Sequence, residues 1–342
     1  MFENSTALYG PVISAKAARL LPEFGPHGRS DFFLPGLHFW LTAHGSGFFP
    51  GSILIALHCT TALLPILCFV GKFPSREGAV RALFFLLRIL VVMFGLWAIA
   101  HAVLFKLYLP SRYSRWAFYI LEPIAAGITI AILFDILRQF GNDSKTHGQL
   151  RLVRAGRLAL YATCLFLMVY PHLRAAIPQD SFVTGKSPQL YNFLRAQPKN
   201  AVIVCMGAEA DMIPTFAQRS VLVSAECAIP YYQGYYRQIR ERGQDLVRAQ
   251  YSPRLNEVQE FIRKHHVDLW IVDRRAFQPG SLSKTRWFKD VGPVAEIEQR
   301  LQRGEEPVLA RLIPRCKIWE DANNIVLDAR LIEPAAVSNG EQ

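Results

Sequence analysis

ILVVMFGLWAIAHAVLFKLYLPSRYSRWAFYILEPIAAGITIAILF, residues 89–134, decides the fold class. Two long apolar runs flank KLYLPSRYSRW (106–116), which carries a proline, a lysine, two arginines and three aromatic side chains. A helix that crosses a bilayer needs ~20 mainly apolar residues. Working outward, four segments come close to that requirement. They are 52–70 (SILIALHCTTALLPILCFV), 82–105 with Arg88 near one end, 116–137 with Glu122 and Asp135, and 158–177. The last is the weakest, because Pro171, His172 and Arg174 crowd its exit. Buried helices of a large soluble protein are the alternative, disfavoured by such long runs with so few charges.

The charge distribution agrees with a membrane reading. Through Ile177 there are 16 Lys+Arg against 7 Asp+Glu, a net of +9; from Pro178 onward there are 22 against 20, a net of +2. A nucleic-acid binder concentrates basic charge on a soluble surface. Here the excess lies among the apolar runs, so no nucleic-acid partner is expected. Lys72, Arg76 and Arg81 follow the first segment, and Arg138, Lys145, Arg151, Arg154 and Arg157 follow the third. The positive-inside rule puts those two loops in the cytoplasm. Residues 106–116, both termini and the C-terminal half then lie outside. Residues 1–51 form an extramembrane segment without signal-peptide order. An outside N-terminus of that length suggests an earlier helix, hence the C-terminal part of a longer protein; a natural truncation or misplaced start is the alternative.

From about Pro178 the pattern changes. AVIVCM (201–206), SVLVS (220–224) and DLWIVD (268–273) read as buried parallel strands. Helices are expected at 187–196, 231–250, 255–265 and 296–303, the first opening with Ser-Pro. VLARLI, KIWE and NIVLD read as three terminal strands, with DANN turning between the last two. The fold class is therefore membrane α-helical (52–177) followed by a soluble α/β domain with a partly parallel sheet (178–336), closed by a flexible tail (337–342).

Motifs exclude several chemistries. GAEADMIPTF after AVIVCM holds one glycine, so GxGxxG is missing, and so are GxxxxGK[ST] and GxSxG. Six scattered cysteines lack CxxC spacing, and the three within apolar runs suit small hydrophobic packing. A Cys205–Cys227 disulfide remains an alternative outside the cytosol. No metal or cofactor is expected, and His265-His266 read as ordinary solvated residues.

Three groups of residues remain as candidates. Lys106, Arg112, Tyr113 and Arg115 suit a lipid phosphate at the interface, because Arg forks bind phosphate oxygens and Tyr prefers the headgroup region. The competing reading is a basic turn on ordinary anionic lipid. Glu122 and Asp135 are intramembrane carboxylates, which are costly and usually functional. Asp135 could simply pair with Arg138, and His58, His101 or Arg88 could partner either acid. In the last half, Asp211, Arg219 and Glu226 lie at strand ends. IPYYQGYYRQIRERGQDL (229–246) puts Tyr232 and Tyr236 on one helix face, with Arg237 and Arg240 elsewhere. These could form a sugar or phosphate platform; the bland reading packs the tyrosines on the sheet and solvates the arginines.

LPEFGPHGRSDFF (21–33), KLYLPSRYSRW and DMIPTFAQRSVLVSAECAIPYYQGYYRQIRER…AQYSP resemble the C-terminal portion of a family of large bacterial membrane proteins. That family is itself similar to the polytopic GT-C glycosyltransferases. The resemblance covers nearly the whole chain. It implies a multi-pass protein of the bacterial cytoplasmic membrane with an extracytoplasmic α/β domain. Its ligand would be a polyprenyl-phosphate-linked sugar. The family's catalytic acid usually sits in the first outward loop. Here the loop after the first segment offers only Glu77 on the cytoplasmic side, so no catalysis is expected from this chain alone. The alternative is a non-enzymatic envelope protein whose external domain binds a glycan or a protein partner.

Overall fold

The structure, a computed structural model, describes residues 9–37, 55–70, 73–143, 146–173 and 185–332. It divides into two compact units, Phe32–Val183 and Met1–Asp31 together with Thr184–Gln342.

The first unit is helical: α1 (Ile55–Val70), α2 (Arg76–Ala102), α3 (Ser111–Asp143) and α4 (His147–Leu173). Three of these, α2, α3 and α4, are long and apolar enough to cross a membrane. Helix α1 has 16 described residues, roughly 24 Å at 1.5 Å per residue, short of the roughly 30 Å hydrocarbon thickness. Among the described residues three helices thus meet the requirement and the fourth expected span is not shown; positions 52–54 and 174–177 lie outside the described residues. Leu64 and Cys68 of α1, Leu83 and Leu86 of α2, and Leu121 and Ile132 of α3 form the packed core. Phe85, Val91 and Val92 of α2 and Leu158, Leu165 and Met168 of α4 are exposed. An apolar exterior of this kind marks a helix surface that meets lipid.

Two helix starts differ from expectation. Helix α3 begins at Ser111, directly after Pro110, so Arg112, Tyr113 and Arg115 occupy its first turns and not a loop. Proline suits a helix entrance because its fixed φ and missing N–H cost nothing there. Helix α4 begins at His147, well before 158, and carries Arg151, Arg154 and Arg157.

The second unit is built on a five-stranded mixed sheet. Its elements are α5 (Pro188–Arg195), β1 (Val202–Cys205), α6 (Glu209–Phe216), β2 (Ser220–Val221), α7 (Gln233–Gln250), α8 (Leu255–His265), β3 (Leu269–Asp273), α9 (Val294–Gln302), α10 (Val308–Cys316), β4 (Lys317–Glu320) and β5 (Asn324–Asp328). The strand order is β2-β1-β3-β5-β4. Strands β2, β1 and β3 run parallel, whereas β5 is antiparallel to both β3 and β4. Side chains alternate between two buried faces. Ile203, Cys205, Leu269, Ile271 and Val326 pack with α5 and α6. Val204, Trp270, Val272, Ile325 and Leu327 pack beneath α7, α8 and α9. Burial on both faces explains why these strands read as unbroken apolar runs.

The expected strand VLARLI is instead helix α10. Val308, Leu309, Leu312 and Ile313 fall at helical spacing and meet the larger core on one side. Of SVLVS, only Ser220–Val221 forms a strand, although Leu222 N–H still donates to the Ile203 carbonyl at 2.9 Å. Cys205 is buried, Cys227 is exposed, and both are free thiols, so no disulfide joins them.

Candidate functional site

The site begins with the N-terminal residues, which the structure brings onto the α/β unit. Gly10 adopts φ +71°, and a Cβ there would lie 2.6 Å from the Gly234 nitrogen. Glycine is required at such a close backbone approach. Val12 then bridges Tyr232, and Ile13 N–H donates to the Tyr231 carbonyl at 2.9 Å. The carboxylate of Glu23 is wholly buried. It accepts hydrogen bonds from the Tyr236 hydroxyl at 2.6 Å and from Arg240 Nε at 3.2 Å, while Trp287 Nε1 donates to the Tyr236 oxygen at 2.9 Å. Burial, followed by the Glu23 charge, raises the Tyr236 phenol far above its ordinary pKa. It therefore stays a donor.

A tight turn places the next residue. A Cβ on Gly28 would fall 2.2 Å from the Pro22 carbonyl oxygen, so the backbone can close here only with glycine. Arg29 then reaches the Ala225 carbonyl at 2.5 Å and the Glu226 carboxylate at 3.0 Å. The second Glu226 oxygen receives Arg286 Nη2 at 3.3 Å, and Arg286 Nη1 reaches Asp211 at 3.0 Å. Asp211, in the first turn of α6, also accepts the Glu226 N–H at 2.8 Å. A carboxylate there is favoured by the partial positive charge of the helix N-terminus. Four residues distant in sequence thus form a relay, Arg29–Glu226–Arg286–Asp211.

Beside the relay opens a cavity of about 410 Å³. From β1 the chain passes to β2 on one side and then, through α7 and α8, to β3 on the other. The carboxyl ends of β1 and β3 therefore flank the topological switch point, where open α/β sheets bind ligands. Met206 and Gly207 follow β1 into the cavity; Asp211, Asp273, Arg275, Lys284 and Arg286 supply its charges. Asp273 accepts the Arg275 N–H at 2.7 Å. Glu298 fixes the far wall by accepting from Gly280 N–H at 2.5 Å and Ser283 N–H at 3.0 Å. Tyr251 donates to the Ala276 carbonyl at 2.9 Å, and burial pushes its phenol up to about 12. Burial also pushes the Cys205 thiol up to about 12, which removes it as a nucleophile. Charged forks and carboxylates above a buried floor suit a polar, hydroxyl-bearing ligand. No group of three or more His, Cys, Asp or Glu suited to a metal occurs among the described residues.

The candidates of the last half separate accordingly. Asp211 and Glu226 belong to the relay. Arg219 is buried and donates to the carbonyls of Arg195, Gln197, Ala217 and Gln218. It satisfies the carbonyl ends of α5 and α6, a bracing role with nothing left over for a ligand platform. Tyr236 is buried against Glu23, Arg240 joins it, and Tyr232 lies over Tyr9 with ring centroids 5.9 Å apart. Arg237 is exposed and makes no ion pair among the described residues. Tyr236 thus follows the bland packing reading. Glu23, Arg29, Asp273, Arg275 and Arg286 were missed. Only the GPHG turn hinted at a fixed arginine.

In the helical unit, Glu122 is buried and its Oε1 lies 2.9 Å from His58 Nδ1, while Thr61 donates to the Glu122 carbonyl at 3.1 Å. His58, and not His101, is therefore the partner; His101 contacts the Trp97 carbonyl of its own helix. Asp135 accepts a hydrogen bond from Ser75 at the entrance of α2. Lys106 is exposed, Arg112 lies 5.6 Å from the Tyr108 ring centroid, and Tyr113 donates to the Leu107 carbonyl at 2.9 Å. Arg115 is half-buried on α3.

No family model and no curated protein matches the chain. Among solved structures it is similar to the C-terminal globular domain of the oligosaccharyltransferase from Archaeoglobus fulgidus. The match has 12% identity, covers 43% of this chain and 98% of that one, and has a TM-score of 0.28. At that score the likeness carries no argument about function.

Proposed function

We propose that the chain is a glycosyltransferase-like protein of the bacterial cytoplasmic membrane. Its external α/β unit binds the sugar of a lipid-linked donor or envelope glycan, and the chain does not catalyse transfer alone. The observation that carries this reading is the 410 Å³ cavity at the carboxyl ends of β1 and β3, in a chain that also has three membrane-length apolar helices. Asp273 and Arg275 offer an acceptor and donors for sugar hydroxyls. The test is titration of a polyprenyl-phosphate-linked sugar into the full chain in nanodiscs. Wild type binds saturably, and Arg275→Gln weakens binding about tenfold, the ~1.4 kcal/mol expected of one charge-assisted bond. Equal binding by both proteins would sink the reading.

A second reading, a non-enzymatic envelope protein that binds a glycan or a protein, is favoured by one observation. Both oxygens of Asp211 are already engaged, by Glu226 N–H and Arg286, so this acid does not act as a free general base. Binding of lipid-free glycan with no preference for the lipid-linked form distinguishes it.

A further inference from the structure

Adjoining the crevice, with which it shares Lys284 and Arg286, a second concavity of about 430 Å³ lies between the N-terminal turn and the 283–289 segment. Its lining includes His27, Arg29, Lys284, Arg286 and Lys289, with Trp287 at its side, and no Asp or Glu. The nearest carboxylates that hold its arginines are Glu226 and Asp211. The groove lining itself thus brings four cations and no carboxylate, with Glu298 reaching it only through Ser283. The relay also leaves donors over. Arg29 spends Nε and Nη2 on Ala225 and Glu226, which leaves Nη1; Arg286 spends Nη1 and Nη2, which leaves Nε. Lys289 gives one bond to the His27 carbonyl at 3.1 Å and keeps two further N–H groups. Lys284 is exposed and makes no ion pair among the described residues.

Held arginines with spare donors are the arrangement that binds an oxyanion cheaply, because little side-chain freedom remains to be lost. The turn is built for this: Gly28 permits the closure that delivers Arg29, and Glu298 holds Ser283 beside Lys284. A phosphate ester or diphosphate presents more charged oxygens to these spare donors than a monocarboxylate does.

We propose that this basic groove is a phosphate-binding site, taking a dianionic phosphate ester or a diphosphate across Arg29, Lys284, Arg286 and Lys289. The phosphate comes from a lipid headgroup or from a soluble ester. Arg29 and Lys289 belong to this groove and not to the crevice, whereas Lys284 and Arg286 line both.

The test titrates inorganic pyrophosphate into the full chain in phosphatidylcholine nanodiscs. Saturable binding is expected, weakened tenfold or more in Lys284→Gln/Lys289→Gln and unchanged in Arg275→Gln, a crevice residue outside the groove. Lys284→Gln alone, on an exposed side chain, should give part of the loss with an unchanged Tm. A second arm adds phosphatidylglycerol to the nanodisc: competition with pyrophosphate identifies a headgroup as the source, and undiminished affinity identifies a soluble ester. Absence of binding in wild type, or equal binding by the double variant, overturns the site. Sugar binding sensitive to Arg275 would survive that result, so the two failures are distinguishable.

Discussion

The hydroxyl of Tyr236 donates a 2.6 Å hydrogen bond to the buried carboxylate of Glu23, 213 residues earlier in the chain. With Arg240 and Trp287 this contact fastens the N-terminal residues to the α/β unit, and the turn that follows delivers Arg29 to Glu226. Glu23→Ala should therefore lower stability by about 2 kcal/mol, the scale of a buried hydrogen bond to a charged group. Denaturant midpoints of the full chain in detergent check this. Glu23→Gln, which keeps an acceptor for Tyr236, should recover about half.

How much of this was legible depends on how local each determinant is. The strands at 202–205 and 269–273 were readable because both faces are buried, so every side chain is apolar. VLARLI was misread because an apolar run so short does not declare its period; Leu312 and Ile313 repeat Val308 and Leu309 one helical turn later. Arg112 and Arg115 resembled loop residues because charge and a preceding proline also mark a helix entrance. The relay was invisible for another reason. Asp211 and Glu226 could be named from strand ends, but their partners Arg29 and Arg286 come from distant segments, and spacing carries no record of such pairing.

Glu298 gives a pH prediction. Burial alone would raise its carboxyl, but hydrogen bonds from Gly280 and Ser283 outweigh burial and hold it below the ordinary carboxylate range. The folded state thus binds this proton less tightly than the unfolded chain. Its contribution is present above the unfolded value, about 4.3, and is lost as pH falls through the depressed folded value. Thermal midpoints measured from pH 7 downward should decline over that window, and Glu298→Gln should flatten the decline.

Inside the helical unit, Glu122→Ala removes the acceptor beside His58 Nδ1. The change should cost about 1–3 kcal/mol, the penalty of stranding a buried polar partner. Glu122→Gln should cost less. Thermal melting of detergent-solubilised variants separates the two, and equal melting of all three proteins would remove the pair from any structural role.

Cys227 is exposed on the α/β unit, so it reports the proposed outward orientation. In intact spheroplasts a membrane-impermeant maleimide should label Cys227, and Cys227→Ser should abolish that label. Labelling only after lysis would place the α/β unit in the cytoplasm.

The most direct measurement is photo-crosslinking of a diazirine-bearing lipid-linked sugar to the full chain in nanodiscs, followed by peptide mapping. Adducts on 206–211 and 273–286, suppressed by excess unlabelled ligand, are the expected result. Adducts confined to 106–116, or none on the α/β unit, would contradict a sugar site at the carboxyl ends of β1 and β3.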